Sequence, residues 1–138
     1  FIGDAVMAIW NSPDTQDDHA LRAVRAAQKI AARVGKTHAK LADPKKHLIF
    51  HTGIATGTAM IGNVGTRELF NYTAIGDTVN TAQRLEMAAQ PGQTLITQAT
   101  YNLVAEDVLA QKLPPIKVKG REEPLSIYNL HGLKASRE

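Results

Sequence analysis

The chain has no cysteine, which excludes a disulfide framework, a thiolate metal site and a cysteine nucleophile together. That absence points to a reducing, cytoplasmic compartment. Aromatic residues make up only 5% of the sequence, too few to furnish the stacking platforms of single-stranded nucleic-acid binders. Long apolar runs are missing too. The stretch from Ala5 to Trp10 is among the longest and falls far short of the roughly 20 residues a helix needs to cross a bilayer. No basic-then-apolar signal segment opens the chain, and a membrane anchor or sensor domain is expected only outside it. Nor does one sign of charge dominate: 16 Lys and Arg face 13 Asp and Glu for a net +3. That mild excess, spread over many segments, suits a small anionic ligand and is too weak to argue for nucleic acid.

What is present is enough for one core. A length of 138 residues with 43% hydrophobic content argues for a single domain. The opening Phe1-Ile2-Gly3-Asp4 sets a turn signal directly before the strand-like run ending at Trp10, a start in mid-pattern that reads as truncation. From about Asp18 to Val34, apolar residues recur at helical spacing, with Asp17 or Asp18 able to cap the start and Gly35 able to end it. Strands are expected over His47 to Ala55, Thr58 to Val64 and Asn71 to Ile75, then a helix over Asp77 to Ala89 that stops at Pro91-Gly92. Thr94 to Ile96 reads as a strand, Gln98 to Val104 as a short helix, and Ile116 to Lys119 and Leu125 to Leu130 as strands joined through Gly120 and Pro124. Interleaved strands and helices favour an α/β or α+β architecture. Leu133 to Glu138 reads as a polar, frayed tail.

The densest chemistry lies from Tyr72 to Glu86, where a strand passes through Gly76 into a helix. Asn80 and Arg84 are four residues apart and so share one helix face, while Val79, Ala82, Leu85 and Ala89 can face the core. By itself that polar stripe could be a solvated surface.

The whole string, Tyr72-Thr73-Ala74-Ile75-Gly76-Asp77-Thr78-Val79-Asn80-Thr81-Ala82-Gln83-Arg84-Leu85-Glu86, resembles the class III nucleotide cyclase family. Further segments match in order: Phe1 to Ala8, His51-Thr52-Gly53-Ile54-Ala55-Thr56-Gly57 with Gly62-Asn63-Val64-Gly65, and Val118-Lys119-Gly120. The resemblance implies an α+β, ferredoxin-like cyclase domain over residues 1–132, lacking its first strand-helix-strand portion. It implies conversion of ATP to cyclic AMP and pyrophosphate by attack of the ribose 3′-hydroxyl on the α-phosphate, with two Mg²⁺ or Mn²⁺ ions per complete site.

In that family Asp4 would be the second of two metal-binding aspartates. Thr73 would touch the purine edge, where a hydroxyl can read adenine's amine less decisively than a carboxylate. Asn80 would orient the ribose, Arg84 would balance charge at the α-phosphate, and Lys119 would hold the terminal phosphates. Many relatives with Thr at the purine position carry Arg where Leu69 stands, and Arg67 is the nearby candidate for that phosphate contact. Family architecture also implies a homodimer whose sites lie at the interface, so that the chain alone is inactive. Two alternatives stay open: a guanylyl cyclase, and a catalytically silent cyclase-like domain with a regulatory or nucleotide-binding role.

Overall fold

A computed structural model of the chain describes residues 5–40, 49–65, 70–118 and 122–134. Their order is α1 (His19–Lys40), β1 (Thr52–Ile54), β2 (Met60–Gly65), β3 (Phe70–Ile75), α2 (Asp77–Ala88), β4 (Thr94–Thr97), α3 (Gln98–Val104), β5 (Val108–Lys112) and β6 (Ile127–Leu133). The fold is α+β. Four strands form a mixed sheet in the order β1-β4-β6-β5, with β1 and β4 parallel and β6 antiparallel to both neighbours. β2 and β3 form a separate antiparallel hairpin.

Strand alternation sends successive side chains to opposite faces, and β4 uses both. Ile96 packs with Ala20 and Val24 of α1, Val104 of α3 and Leu130 of β6. Leu95 packs with Leu85 of α2, Ala89 just past the end of that helix, and Ile127 of β6. The sheet is therefore covered by α1 and α3 on one face and by α2 on the other. All four β4 residues are buried, as a central strand with two covered faces requires. Burying a Leu or Ile side chain fully contributes about 1.5–3 kcal/mol, so Leu85, Leu95 and Ile96, each 2% exposed or less, are main anchors of the two layers.

Several boundaries differ from the sequence expectations. Of the strand-like run from Ala5 to Trp10, Ala5 makes an isolated bridge and the rest forms no strand, with Val6 largely exposed. Helix α1 does not stop at Gly35 but continues to Lys40. Glycine ends a helix by taking a left-handed conformation, and Gly35 does not have one. Asp18 is drawn to Arg22 one turn along, accepting from its Nε at 2.6 Å.

Among the described residues of the longer expected strand, β1 takes only Thr52–Ile54. β5 was not expected: Ala, Gln and Lys give Val108–Lys112 little intrinsic strand preference, and pairing with β6 creates it. The expected strand at Ile116 reduces to a single bridge with Leu125. Leu133 and Lys134, expected in the frayed tail, are held instead: Leu133 closes β6 and the Lys134 N–H donates to the Asp107 carbonyl at 2.8 Å. Among the described residues no helix is long and apolar enough to cross a membrane.

Candidate functional site

The polar stripe is built by the turn from β3 into α2. Gly76 sits at φ 131° and ψ −176°, a region essentially reserved for glycine, and this lets the chain reverse directly into the helix. The Asn80 N–H then donates to the Gly76 carbonyl at 3.1 Å, closing the first turn. Thr78 ties that turn to the β1–β2 connection by donating its hydroxyl to the Thr58 carbonyl at 2.7 Å. Gly57 makes room for this contact, because a Cβ there would lie 2.6 Å from Thr78 Oγ1.

The opposite side of α2 is fixed by burial. Thr81 and Leu85 are its buried residues, and Thr81 donates back to the Asp77 carbonyl at 2.8 Å. Gly53 brings β1 against the helix backbone: a Cβ at that position would meet Ala82 O at 2.3 Å, Glu86 N at 2.5 Å and Leu85 Cβ at 2.8 Å. With that face pressed onto the sheet, Asn80 is left exposed and Arg84 half-buried on the outward side. Neither side chain has a hydrogen bond or ion pair with another described residue.

The structure thus places Asn80 and Arg84 together on one face, as their spacing requires. Val79 and Ala82, expected to face the core, are only half-buried. Thr73 lies on β3 directly opposite Gly62 of β2. Asp4, Arg67, Leu69 and Lys119 fall outside the described residues. Among the described residues no group of three or more His, Asp or Glu could hold a metal ion.

Sequence reasoning gave no role to a buried hydroxyl relay behind the site. Thr100 is fully buried at the start of α3, with Thr56 Oγ1 at 2.8 Å and Thr97 Oγ1 at 3.0 Å. Thr97 caps α3 by accepting from the Thr100 N–H at 3.2 Å. A cavity of about 260 Å³ opens beside this relay, lined by Thr56, Thr78, Thr81, Thr97 and Gln98 among others. Asn80 and Arg84 do not line it. They lie on an open helix face, and a ligand held there needs a second surface to cover it.

The comparisons agree with this architecture. The family model for the adenylate and guanylate cyclase catalytic domain matches residues 1–132. Adenylate cyclase 1 of Rhizobium meliloti is 37% identical over 136 residues, covering 96% of this chain and 20% of that protein, so the chain spans about a fifth of this curated relative's length. Among solved structures, the adenylyl cyclase CyaB from P. aeruginosa superposes with a TM-score of 0.71 at 28% identity, covering 91% of this chain and 65% of that one. The guanylate cyclase domain of RhGC from Catenaria anguillulae, in complex with GTP, gives 0.76 at 27% identity, covering 90% and 65%. That family model covers nearly the whole chain, and the chain belongs to the family of adenylate and guanylate cyclase catalytic domains.

Proposed function

We propose that the chain is the catalytic domain of an adenylyl cyclase that makes cyclic AMP and pyrophosphate from ATP in the cytoplasm. The observation that carries the reading is the Asn80–Arg84 pair on an outward face of α2, held by a helix whose other side is locked to β1. In the reaction the ribose 3′-oxygen bonds to the α-phosphorus and the bond from that phosphorus to the bridging oxygen of pyrophosphate breaks. The hydroxyl proton is released to solvent. Asn80 orients the ribose, and Arg84 offers a planar fork of donors to the α-phosphate oxygens as charge builds there. Thr73 reads the purine edge, and Lys119 and Arg67 hold the phosphate tail. Asp4 is the proposed ligand for Mg²⁺ or Mn²⁺, which would supply charge neutralisation at the triphosphate when bound.

An open face that needs covering favours a homodimer in which the partner supplies the metal-binding half of each site. Likeness to a GTP-bound guanylate cyclase domain keeps GTP as the second candidate substrate. Product formation by the full-length protein with each nucleotide separates the two readings.

The deciding experiment is Arg84→Ala in the full-length protein. Loss of a contact made chiefly in the transition state lowers kcat by roughly 10², about 2.7 kcal/mol, with a much smaller change in KM. Arg84→Lys rescues little, since an ammonium lacks the fork. A folded Arg84→Ala protein with near-native kcat would remove Arg84 from the mechanism.

A further inference from the structure

Helix α1 carries six cations, Arg22, Arg25, Lys29, Arg33, Lys36 and Lys40, and no acid. The rest of the sequence has ten Lys and Arg against thirteen Asp and Glu, so outside α1 the chain has a net charge of −3. At about 100° per residue these six positions fall within a sector of roughly 80° and form a row about 27 Å long. All six are exposed, while Ala20, Ala23, Val24 and Ala27 on the opposite side are buried against the sheet. Arg22 pairs with Asp18; the other five have no ion pair among the described residues.

Apolar residues stay open on the other side of the second half of α1, away from the row. Ile30 is 49% exposed, Ile49 60% and Phe50 41%, and all three line a shallow cleft of about 360 Å³ with Val34. Phe50 is not a frayed end: its carbonyl accepts from the Gly92 N–H at 2.9 Å.

We infer that the α1 face docks the domain on an anionic lipid bilayer. The row is straight and convex and is flanked by Ala26, Ala32 and Thr37 rather than by acids. It offers charge spaced evenly along its length. A planar anionic surface meets such a row along its whole length. The helix keeps its own apolar face in the core, so attachment is electrostatic and peripheral, and reversed by salt.

The test is co-sedimentation of the purified chain with vesicles of phosphatidylcholine alone, or containing about one-third phosphatidylglycerol. The expected result is binding to the anionic vesicles only, with release as salt rises from about 0.05 M to about 0.5 M. Replacing Lys29, Arg33 and Lys36 together by Gln weakens binding about a hundredfold, at roughly fivefold per cation. Single variants Arg25→Gln and Lys36→Gln, each about fivefold weaker, carry the test should the triple variant not fold. No binding to anionic vesicles, equal binding to neutral ones, or a folded triple variant that binds unchanged overturns the inference. Tighter binding to polyglutamate or duplex DNA than to the vesicles overturns it as well, and points to an acidic protein or nucleic-acid partner.

Discussion

Replacing Gly53 by Ala tests the way α2 is mounted on the sheet. The added methyl would sit 2.3 Å from Ala82 O and 2.5 Å from Glu86 N. Both are backbone atoms, so no rotamer change can relieve the contact. Restoring ordinary separation requires α2 to move from β1 by about 1 Å, with loss of packing between Leu85 and Leu95. Overpacking of this kind costs about 1–3 kcal/mol and sometimes more, and the backbone clash places Gly53→Ala near about 3 kcal/mol. For a domain of this size that lowers Tm by roughly 10 °C. The control is Gly35→Ala, at a position in α1 with nothing within 4 Å and no positive φ. There the methyl meets open space and the backbone gains helix propensity, so stability should rise by about 0.4–1 kcal/mol. Thermal melts by circular dichroism measure both variants. If Gly53→Ala melts with the native chain, or the two glycines respond alike, the close approach of β1 and α2 is wrong.

Three further outcomes follow from the same structure. Thr100→Val leaves the hydroxyls of Thr56 and Thr97 without their shared partner and should cost about 1–3 kcal/mol in a denaturant titration, while Thr100→Ser should recover most of it; equal stability of Val and Ser variants would dismiss the relay. The hydrogen bond from Arg22 holds the Asp18 carboxyl below its ordinary value, against an opposing effect of desolvation. Because the folded pKa is the lower one, any contribution of the pair is present above the unfolded value and lost as pH falls through the folded value. An NMR titration should find Asp18 depressed in the native chain and returned to normal in Arg22→Ala. Since both partners are about half exposed, Asp18→Asn should leave Tm unchanged within error. Finally, an Asp4→Ala and an Arg84→Ala copy of the full-length protein should regain part of the activity when mixed, because one of two shared sites then stays intact; folded, dimeric mixtures without activity would argue against sites shared between protomers.

Local patterns determined much of this protein. Asn80 and Arg84 fall together because four residues make about one helical turn, wherever the helix lies. The ends of α3, the turn at Pro91-Gly92 and the glycine entering α2 were legible for the same reason, since capping and turn chemistry act over a few residues. Four ordered motif segments identified the family, because each joins residue types that packing alone would not select. Tertiary structure decided the rest. That Gly53 must be glycine depends on a helix almost thirty positions later in the sequence. β5 is a strand because β6 pairs with it, although its own residues have weak strand preference. Gly35 continues α1 because its backbone stays helical, although the residue type permitted an end. Charges that look dispersed along the sequence become a single basic row only when α1 winds them onto one side and the sheet covers the other.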